Sequence, residues 1–361
     1  MSASVTLKAL RPSQPDRLVA LWLFACAAMI LLMVVIGGIT RLTESGLSIT
    51  QWKPLTGIIP PLTQADWEES FALYRQIPEY QLLNTGMSLA EYKSIYWWEF
   101  IHRLWGRLIG IAFAVPLAIF LLRRRIGRAL APWLGLLFVL GALQGALGWY
   151  MVASGLSERT DVSQYRLAAH FGLAVALYAA VLWTAMTLVR PAPDRTHEGA
   201  QLQPWLIAAL SLIAFTMIAG AFVAGLNAGF LYNEFPWMGE RLVPPDYNHS
   251  GAGFWANAFE NPAAAQLHHR LLAVASLAAV LATWWRSRSL SLPHAARTAL
   301  ALFALAGVAQ LGLGILTLVL VVPIPLAALH QAGALMLLSF GLWALLESRA
   351  PASLRERART Y

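Results

Sequence analysis

The sequence predicts an all-α integral membrane protein whose eight transmembrane helices form two pseudo-symmetric four-helix bundles. Three observations predict this fold: eight long apolar runs, basic residues in alternate loops, and an internal repeat. Of the 361 residues, 58% are hydrophobic and only 12% are charged, whereas soluble domains carry about 25% charged residues. This composition excludes a soluble domain. The net charge of +8 is a signal of membrane topology rather than of nucleic-acid binding.

Each apolar run is long enough to cross a bilayer, which takes about 20 helical residues. Pro116, inside the second run, is expected to kink that helix or to leave a carbonyl that a neighbour satisfies. The single cysteine, Cys26, excludes a disulfide framework, a zinc site and an iron–sulfur cluster. The predicted spans are residues 18–40, 97–122, 132–152, 167–189, 204–225, 267–285, 297–321 and 326–346.

Lysine and arginine cluster in the N-terminal tail, after the second and sixth spans, and in the C-terminal tail. Because basic loops stay on the cytoplasmic side, both termini are predicted to be cytoplasmic, with long outer loops at 41–96 and 226–266. The predicted organisation is a cytoplasmic N-terminal tail (1–17), an N-terminal bundle (18–190), a cytoplasmic linker (191–203), a C-terminal bundle (204–346) and a cytoplasmic C-terminal tail (347–361).

The two halves of the chain repeat one another. A His-Arg pair recurs at an offset of 167 residues, and a Gly-Gln-Gly pattern in the third span of each half recurs at an offset of 166. Because each half has an even number of spans, the repeats share one orientation and their symmetry axis should lie along the membrane normal. The matched residues are His102 and Arg103 with His269 and Arg270, and Gly141, Gln144 and Gly148 with Gly307, Gln310 and Gly314.

Four histidines lie at the outer ends of spans two, four, six and eight. Scattered core histidines, each satisfied by a carbonyl, would not share one depth. Two imidazoles from different helices are the axial ligands that a haem iron takes, so we expect two haem sites: His102 with His170, and His269 with His330. The adjacent His268 faces about 100° away on the helix. We expect His269 to be the ligand because an arginine follows it, as one follows His102.

Arginines near the histidines could pair with porphyrin propionates, although interfacial snorkelling explains each of them equally well. Gly106, Gly110 and Gly333 follow the histidines on the same helices and would let a flat ring approach the backbone. Gly141, Gly145 and Gly148 are interpreted as small-residue contacts between helices. The candidate propionate partners are Arg103, Arg107, Arg166 and Arg270.

The two expected haem sites are unequal. Glu99 precedes His102 by three residues, whereas Gln266 precedes His269 by three. An acid inside a membrane is costly and indicates function. An electron carrier has no use for it, whereas a site that performs oxidation can use it to deliver a proton or to polarise a substrate. We therefore expect the first half to be catalytic and the second to hold a fixed electron-transfer cofactor.

The chain resembles the haem A synthase family from residue 18 to residue 346, in the branch that lacks a cysteine pair in the outer loop. The resemblance implies oxidation of a methyl group of haem O to a formyl group, giving haem A for cytochrome oxidase. It implies that Glu99, His102 and His170 form the haem O site and that His269 and His330 bind a haem b. The matching stretches are residues 37–48, 52–54, 57–61, 99–107, 266–270 and 329–331, together with the helix that carries His170.

The resemblance also implies partners: an electron donor, the membrane enzyme that makes haem O, and assembly factors of cytochrome oxidase. We expect a multi-pass protein of the bacterial inner membrane, with haem sites near the outer face, and a homo-oligomer is compatible with the chain. The main alternative is a di-haem electron-transfer subunit of the cytochrome b kind, without catalysis. A transporter would not explain four histidines at one depth, and a prenyltransferase needs aspartate-rich loops that are absent.

Overall fold

The computed structural model describes residues 17–53, 56–157, 159–190, 197–248 and 253–348. These ranges contain twelve α-helices, one 3-10 turn and no β-strand. Eight of the helices are long and apolar enough to cross a membrane; the exceptions are α2, α3, α7 and α9. The helices are α1 (Arg17–Leu42), α2 (Gln64–Tyr74), α3 (Pro78–Leu82), α4 (Leu89–Leu122), α5 (Ala131–Ala153), α6 (Gln164–Val189), α7 (His197–Ala200), α8 (Gln203–Gly225), α9 (Phe254–Glu260), α10 (Pro262–Ser287), α11 (His294–Val319) and α12 (Ile324–Glu347).

The prediction of eight membrane-spanning helices is confirmed, and the largest boundary difference is at α4. This helix begins eight residues earlier than the predicted span, at a capping box in which the Ser88 side chain accepts a hydrogen bond from the Glu91 backbone. Tyr92 and Tyr96 in this extra segment are buried against the outer loop. Hydropathy detects only the part of a helix that faces lipid, so it misses a polar extension that packs on protein. The helix continues through Pro116.

Within each half, every helix contacts its neighbours in a closed ring: α1, α4, α5 and α6 in the first half, and α8, α10, α11 and α12 in the second. Across the middle, α1 contacts α12, and α6 contacts both α8 and α12. Gly38 of α1 lies so close to Gln331 of α12 that an added Cβ would be 1.7 Å from its Oε1. These contacts are compatible with pseudo-symmetric bundles, and the symmetry itself stays a prediction.

The first outer loop is packed rather than extended. Helix α2 starts at a capping box formed by Thr63 and Asp66, as expected for a stable short helix. An aromatic cluster joins α2 and α3 to the start of α4, and we call it the outer-loop core. Its buried members are Leu47, Trp67, Phe71, Tyr74, Ile77, Tyr92, Tyr96, Phe100 and Val162. The loop thereby covers the end of α4 that carries the first candidate site.

Parts of the predicted topology lie outside the described residues. These include residues 1–16 and 349–361, which carry the basic tails, and His249 of the second outer loop. The arginine-rich turn after α4 and the basic end of α10 are described. The cytoplasmic side, the positions of the termini and the division into domains stay predictions.

Candidate functional site

His269 on α10 and His330 on α12 face each other in the second half. Their ring centroids are 6.5 Å apart and the ring planes are nearly perpendicular, at 85°. Metal–imidazole bonds are about 2 Å long, so two such bonds plus the two ring radii give a separation of this size. The structure thus brings together the two histidines that the sequence predicted as a pair, at a distance that suits one metal ion between them.

Hydrogen bonding leaves the Nε2 atom of His269 available to a metal. Its Nδ1 atom lies 3.0 Å from the Thr216 carbonyl oxygen, which is the kind of acceptor that holds a metal-binding histidine in the required tautomer. The neighbouring His268 points elsewhere, with its Nε2 3.0 Å from the Tyr247 hydroxyl. This geometry supports the choice of His269 over His268, and its role as a ligand stays a prediction.

The first half places His102 on α4 and His170 on α6, close enough for the two imidazoles to interact electrostatically. The His170 Nδ1 atom is buried and has no hydrogen-bond partner, while its Nε2 lies 3.4 Å from the Gln144 amide nitrogen. A buried polar atom without a partner is uncommon and calls for an explanation. Coordination of a group between these two rings would supply one.

Each of the four rings packs against a glycine of an adjacent helix. A Cβ added at that glycine would lie 2.9 to 3.0 Å from the ring at Gly148, Gly220 and Gly314, so it would press on the imidazole, and in ordinary contact at 3.5 Å at Gly37. The interpretation of Gly148 as a helix contact was incomplete, because its neighbour is the His170 ring. A Cβ added at Gly141 or Gly145 would meet no atom within 4 Å, so space rather than a neighbouring side chain lies beside these two positions. The four pairs are Gly37 with His102, Gly148 with His170, Gly220 with His269 and Gly314 with His330.

Sequence reasoning overlooked a glutamine that touches the histidine of α6 and another that touches the histidine of α12. The Gln144 amide donates to the His170 carbonyl oxygen at 2.9 Å, and the Gln310 amide donates to the His330 carbonyl at the same distance. The Gln310 amide nitrogen also lies 3.1 Å from the His330 ring. Both glutamines had been noticed as repeat partners, and that repetition was the signal that could have placed them here.

Glu99 is held on both oxygens. Its Oε1 forms a 2.6 Å salt bridge with Arg103, and its Oε2 accepts 2.7 Å hydrogen bonds from the Ser48 hydroxyl and the Ile49 amide. Arg103 in turn donates to the carbonyls of Ile49 and Gln51. Glu99 is buried, with 2% of its surface exposed. The acid predicted to be catalytic therefore also anchors the first outer loop to α4.

Gln266 and Arg270 make the matching arrangement in the second half. The Arg270 guanidinium donates to Gln266 Oε1 at 3.3 Å and to the carbonyls of Tyr232, Glu234 and Trp237. The Gln266 amide also donates to the Tyr232 carbonyl. We call these two arrangements the loop clamps. Each clamp joins to the outer loop the side chain that lies three residues before the first candidate ligand histidine of its half, His102 or His269.

The two other predicted propionate arginines also donate to backbone carbonyls. Arg107 donates to the Lys53 carbonyl at 2.9 Å. Arg166 donates to the Tyr150 carbonyl at 2.7 Å, and its guanidinium lies 3.7 Å above the Tyr150 ring. Neither contact tests a role toward propionates, which stays a prediction. Within the described part of the chain, no group of three or more His, Cys, Asp or Glu side chains is placed to hold a metal ion.

One buried acid of the outer-loop core was also missed from the sequence. Glu79, on α3, has 5% of its surface exposed, and its Oε2 atom has no partner. Burial, together with the nearby acids Glu44, Glu99 and Asp161, raises the pKa of its carboxyl to about 8. A run of mixed polar residues in a loop gives no sequence signal that one of them is buried.

Comparison with known proteins places the chain in a family. The family described as "Cytochrome oxidase assembly protein" (COX15-CtaA) matches residues 20–342. A "Heme A synthase" of Rhodospirillum centenum is 51% identical over 346 residues, which is 96% of this chain and 92% of the relative. One of Parvibaculum lavamentivorans is 50% identical, over 90% of this chain and 92% of the relative.

A more distant relative also matches more than nine tenths of this chain. The "Heme A synthase COX15" of Homo sapiens is 42% identical over 343 residues, which is 92% of this chain and 83% of the relative. The resemblance read from the sequence motifs is confirmed over nearly the same residues. The chain belongs to the COX15-CtaA family of cytochrome oxidase assembly proteins.

Proposed function

We propose that this chain is a haem A synthase, a membrane oxidoreductase that oxidises a methyl group of haem O to the formyl group of haem A. The reaction comprises two hydroxylations of the methyl carbon and the loss of water from the resulting geminal diol. Relatives that carry this name match more than nine tenths of the chain. The observation that carries the proposal is the inequality of two otherwise matching histidine pairs, of which one has Glu99 and the other has Gln266.

The second half is proposed to hold a haem b between His269 and His330. The facing rings, the Thr216 carbonyl on His269 and the glycines beside both rings fit a flat bis-imidazole cofactor. When bound, this group supplies one-electron chemistry. The Thr216 carbonyl holds one histidine in the tautomer that leaves Nε2 free, and Gln310 anchors the backbone of the other.

The first half is proposed to bind haem O as substrate, between His102 and His170. Glu99 lies one turn from His102 on the same helix and is oriented from two sides by Arg103 and Ser48. A carboxylate fixed in this way can accept or deliver a proton at the reacting carbon without reorganising. The outer-loop core covers this end of α4 and would keep bulk water away from the site.

The finer points of location and partners are part of the same proposal. The chain is a multi-pass membrane protein with eight apolar helices, and the basic loops favour a bacterial inner membrane with cytoplasmic termini and outer haem sites. An electron donor, the enzyme that supplies haem O, and assembly factors of cytochrome oxidase are the proposed partners.

The test is conversion by the purified protein. The chain, loaded with haem b, is reconstituted with haem O and a source of reducing equivalents, and the extracted porphyrins are separated by chromatography. Haem A should accumulate with time. A protein that binds both haems and shows electron transfer between them, but makes no hydroxylated or formyl product, would instead be the di-haem electron-transfer subunit.

That alternative has one observation in its favour. Glu99 belongs to a loop clamp that Gln266 builds in the second half without an acid, so Glu99 could be structural. Family membership speaks against this alternative, since the relatives are named for synthesis of haem A. The conversion assay separates the two functions directly.

A further inference from the structure

The contact between α4 and α5 differs from the equivalent contact between α10 and α11. In the second half, Gly307 of α11 is covered by Leu277 and Val280 of α10, whose side chains lie within 3.4 Å of an added Cβ. In the first half, a Cβ added at the equivalent Gly141 of α5 would meet no atom within 4 Å. At the repeat offset of 167 residues, Gly110 of α4 is the position equivalent to Leu277 of α10. The seam is uncovered because a leucine is replaced by glycine.

A second leucine is replaced in the same seam. At the repeat offset of 166 residues, Leu311 of α11 corresponds to Gly145 of α5. A Cβ added at Gly145 or at Gly110 would meet no atom within 4 Å. Helix α5 buries only Leu134 and Leu137, both near its start. From there to its outer end, α5 is the least covered membrane-spanning helix of the first half among the described residues.

Aromatic pairs mark both ends of the uncovered seam. The Phe113 ring of α4 stacks on Phe138 of α5, with centroids 6.4 Å apart, and closes its inner end. Trp52 of the outer loop lies 6.0 Å from Trp149 of α5 at the outer end. Trp149 lies eleven residues after Phe138, which is a rise of about 16 Å along the helix. The outer end of this stretch lies next to Gly148, which packs against the His170 ring.

The first candidate site lies behind this seam. Gly110 follows His102 by two helical turns, and Gly145 lies one residue from Gln144, whose amide contacts His170. Two buried polar atoms here have no partner, His170 Nδ1 and Gln144 Oε1. Gln310 Oε1 of the second half is also without a partner, so it is the combination of unpartnered polar atoms with an unfilled helix contact that distinguishes the first half. The equivalent seam of the second half is closed.

We propose that haem O enters the first half sideways from the bilayer, through the seam between α4 and α5. This inference rests on the proposed function. An apolar porphyrin delivered within the membrane reaches a buried site most directly between two transmembrane helices, without crossing the packed outer-loop core. The closed seam between α10 and α11 fits a resident cofactor that is loaded once and retained.

The test introduces, at Gly110 and Gly145, the leucines that the second half has at the equivalent positions. Gly110→Leu and Gly145→Leu are purified with their resident haem b, and uptake of haem O from phospholipid vesicles is followed by chromatography of extracted porphyrins. Each variant should take up haem O at least tenfold more slowly than the unaltered chain. Gly135→Leu is the matched control, because Gly135 lies on α5 inward of Phe138 and also meets no atom within 4 Å.

The spectrum of the resident haem reports whether each variant has folded. A second measurement does not depend on adding bulk. In a Cys26→Ala background, Gly145→Cys is labelled with a membrane-permeant maleimide, and haem O in the vesicles should slow labelling there but not at Gly135→Cys. Normal uptake by both leucine variants, or labelling that haem O leaves unchanged, overturns the entry route. Failure of the unaltered chain to take up haem O overturns the proposed function and the route together.

Discussion

The two halves of the molecule hold their outer loops in the same way, although one uses an acid and the other an amide. Glu99 accepts from Arg103 four residues later, and Gln266 accepts from Arg270 at the same spacing. Each arginine then reaches carbonyls of its loop. The second polar atom of each side chain differs, however: Glu99 Oε2 accepts from Ser48 and Ile49, whereas the Gln266 amide donates to the carbonyls of Ala228 and Tyr232. The halves therefore share the arginine side of the clamp and differ in charge and in the direction of the remaining hydrogen bonds.

The packing of the halves differs in the same direction. Leu277 and Val280 lie within 3.4 Å of a Cβ added at Gly307, whereas a Cβ added at Gly141 would meet no atom within 4 Å. The half with the acid is thus also the half with the less filled helix contact. A substrate must arrive and leave, whereas a cofactor must stay, and these two demands account for both differences together.

The largest effect should come from removing a ligand of the resident haem. His269→Ala or His330→Ala should abolish the low-spin haem b spectrum, because one of the two axial imidazoles is lost. Absorption and electron paramagnetic resonance of the purified protein measure this. His268→Ala is the control and should keep the spectrum, since His268 contacts Tyr247 instead. Loss of the signal in the control alone would assign the ligand to His268.

Removing the acid should have the next largest effect. Glu99→Gln keeps the size of the side chain and an acceptor for Arg103 but loses the acceptor for the Ile49 amide, and it should reduce formation of haem A by about 100-fold or more, the range of general acid–base catalysis. Protein yield and haem content should stay at the level of the unaltered chain.

The reverse exchange is its control. Gln266→Glu should convert haem O normally, since Arg270 can pair with an acid, although its second oxygen then faces the carbonyls of Ala228 and Tyr232 and should lower the melting temperature. Normal formation of haem A by Glu99→Gln would mean that Glu99 only anchors the loop. A similar loss in both exchanges would place their effect in the clamps and not in the chemistry.

Filling the glycines beside the rings should have a smaller effect. Gly314→Ala would put a Cβ 2.9 Å from the His330 ring, and overpacking of this kind costs about 1–3 kcal/mol. We expect a lower melting temperature and a shifted spectrum of the resident haem. Gly148→Ala should lower stability similarly but leave that spectrum unchanged, because Gly148 contacts His170 in the other half. Gly141→Ala, which meets no atom within 4 Å, should change neither.

The sequence was most informative about features that depend on a single segment of the chain. Hydropathy located all eight spans, since a lipid-facing helix must be apolar along its whole length. The depth of each histidine within its span predicted that His269 would meet His330. Helix boundaries and depth are properties of a single segment, so no knowledge of the partner helix was needed.

Contacts that join distant segments were not predictable in this way. The early start of α4 depends on Tyr92 packing against Phe71, and no local pattern announces such a contact. The clamps were half visible, because Glu99 and Gln266 were noticed but their loop partners were not. The open seam could have been read from Gly110 opposite Leu277, yet a lone glycine does not say whether it is covered. The roles of the site residues remain untested predictions.

The most local effect should be a change with pH in the stability of the first outer loop. The pKa of Glu79 is raised from an ordinary value of 4.5 to about 8 by burial. Folding therefore favours the protonated acid, and stability should be highest below about pH 4.5. It should fall as the pH rises towards 8, by an amount on the order of a few kcal/mol, and change little above that. Hydrogen exchange of α2 and α3 between pH 5.5 and 8.5 measures this.

Glu79→Gln should remove this dependence and make the loop more stable than the unaltered chain at pH 8.5, since no charge is then buried. Asp66→Asn is the matched control in the same loop. Hydrogen bonds from Thr63 and Leu62 lower the pKa of Asp66, so its contribution is lost only in more acidic solution and the slope from pH 5.5 to 8.5 should persist. The pH dependence of the second outer loop should be the same in the Glu79→Gln protein as in the unaltered chain. An unchanged slope in Glu79→Gln would mean that this acid is ionised in the folded loop.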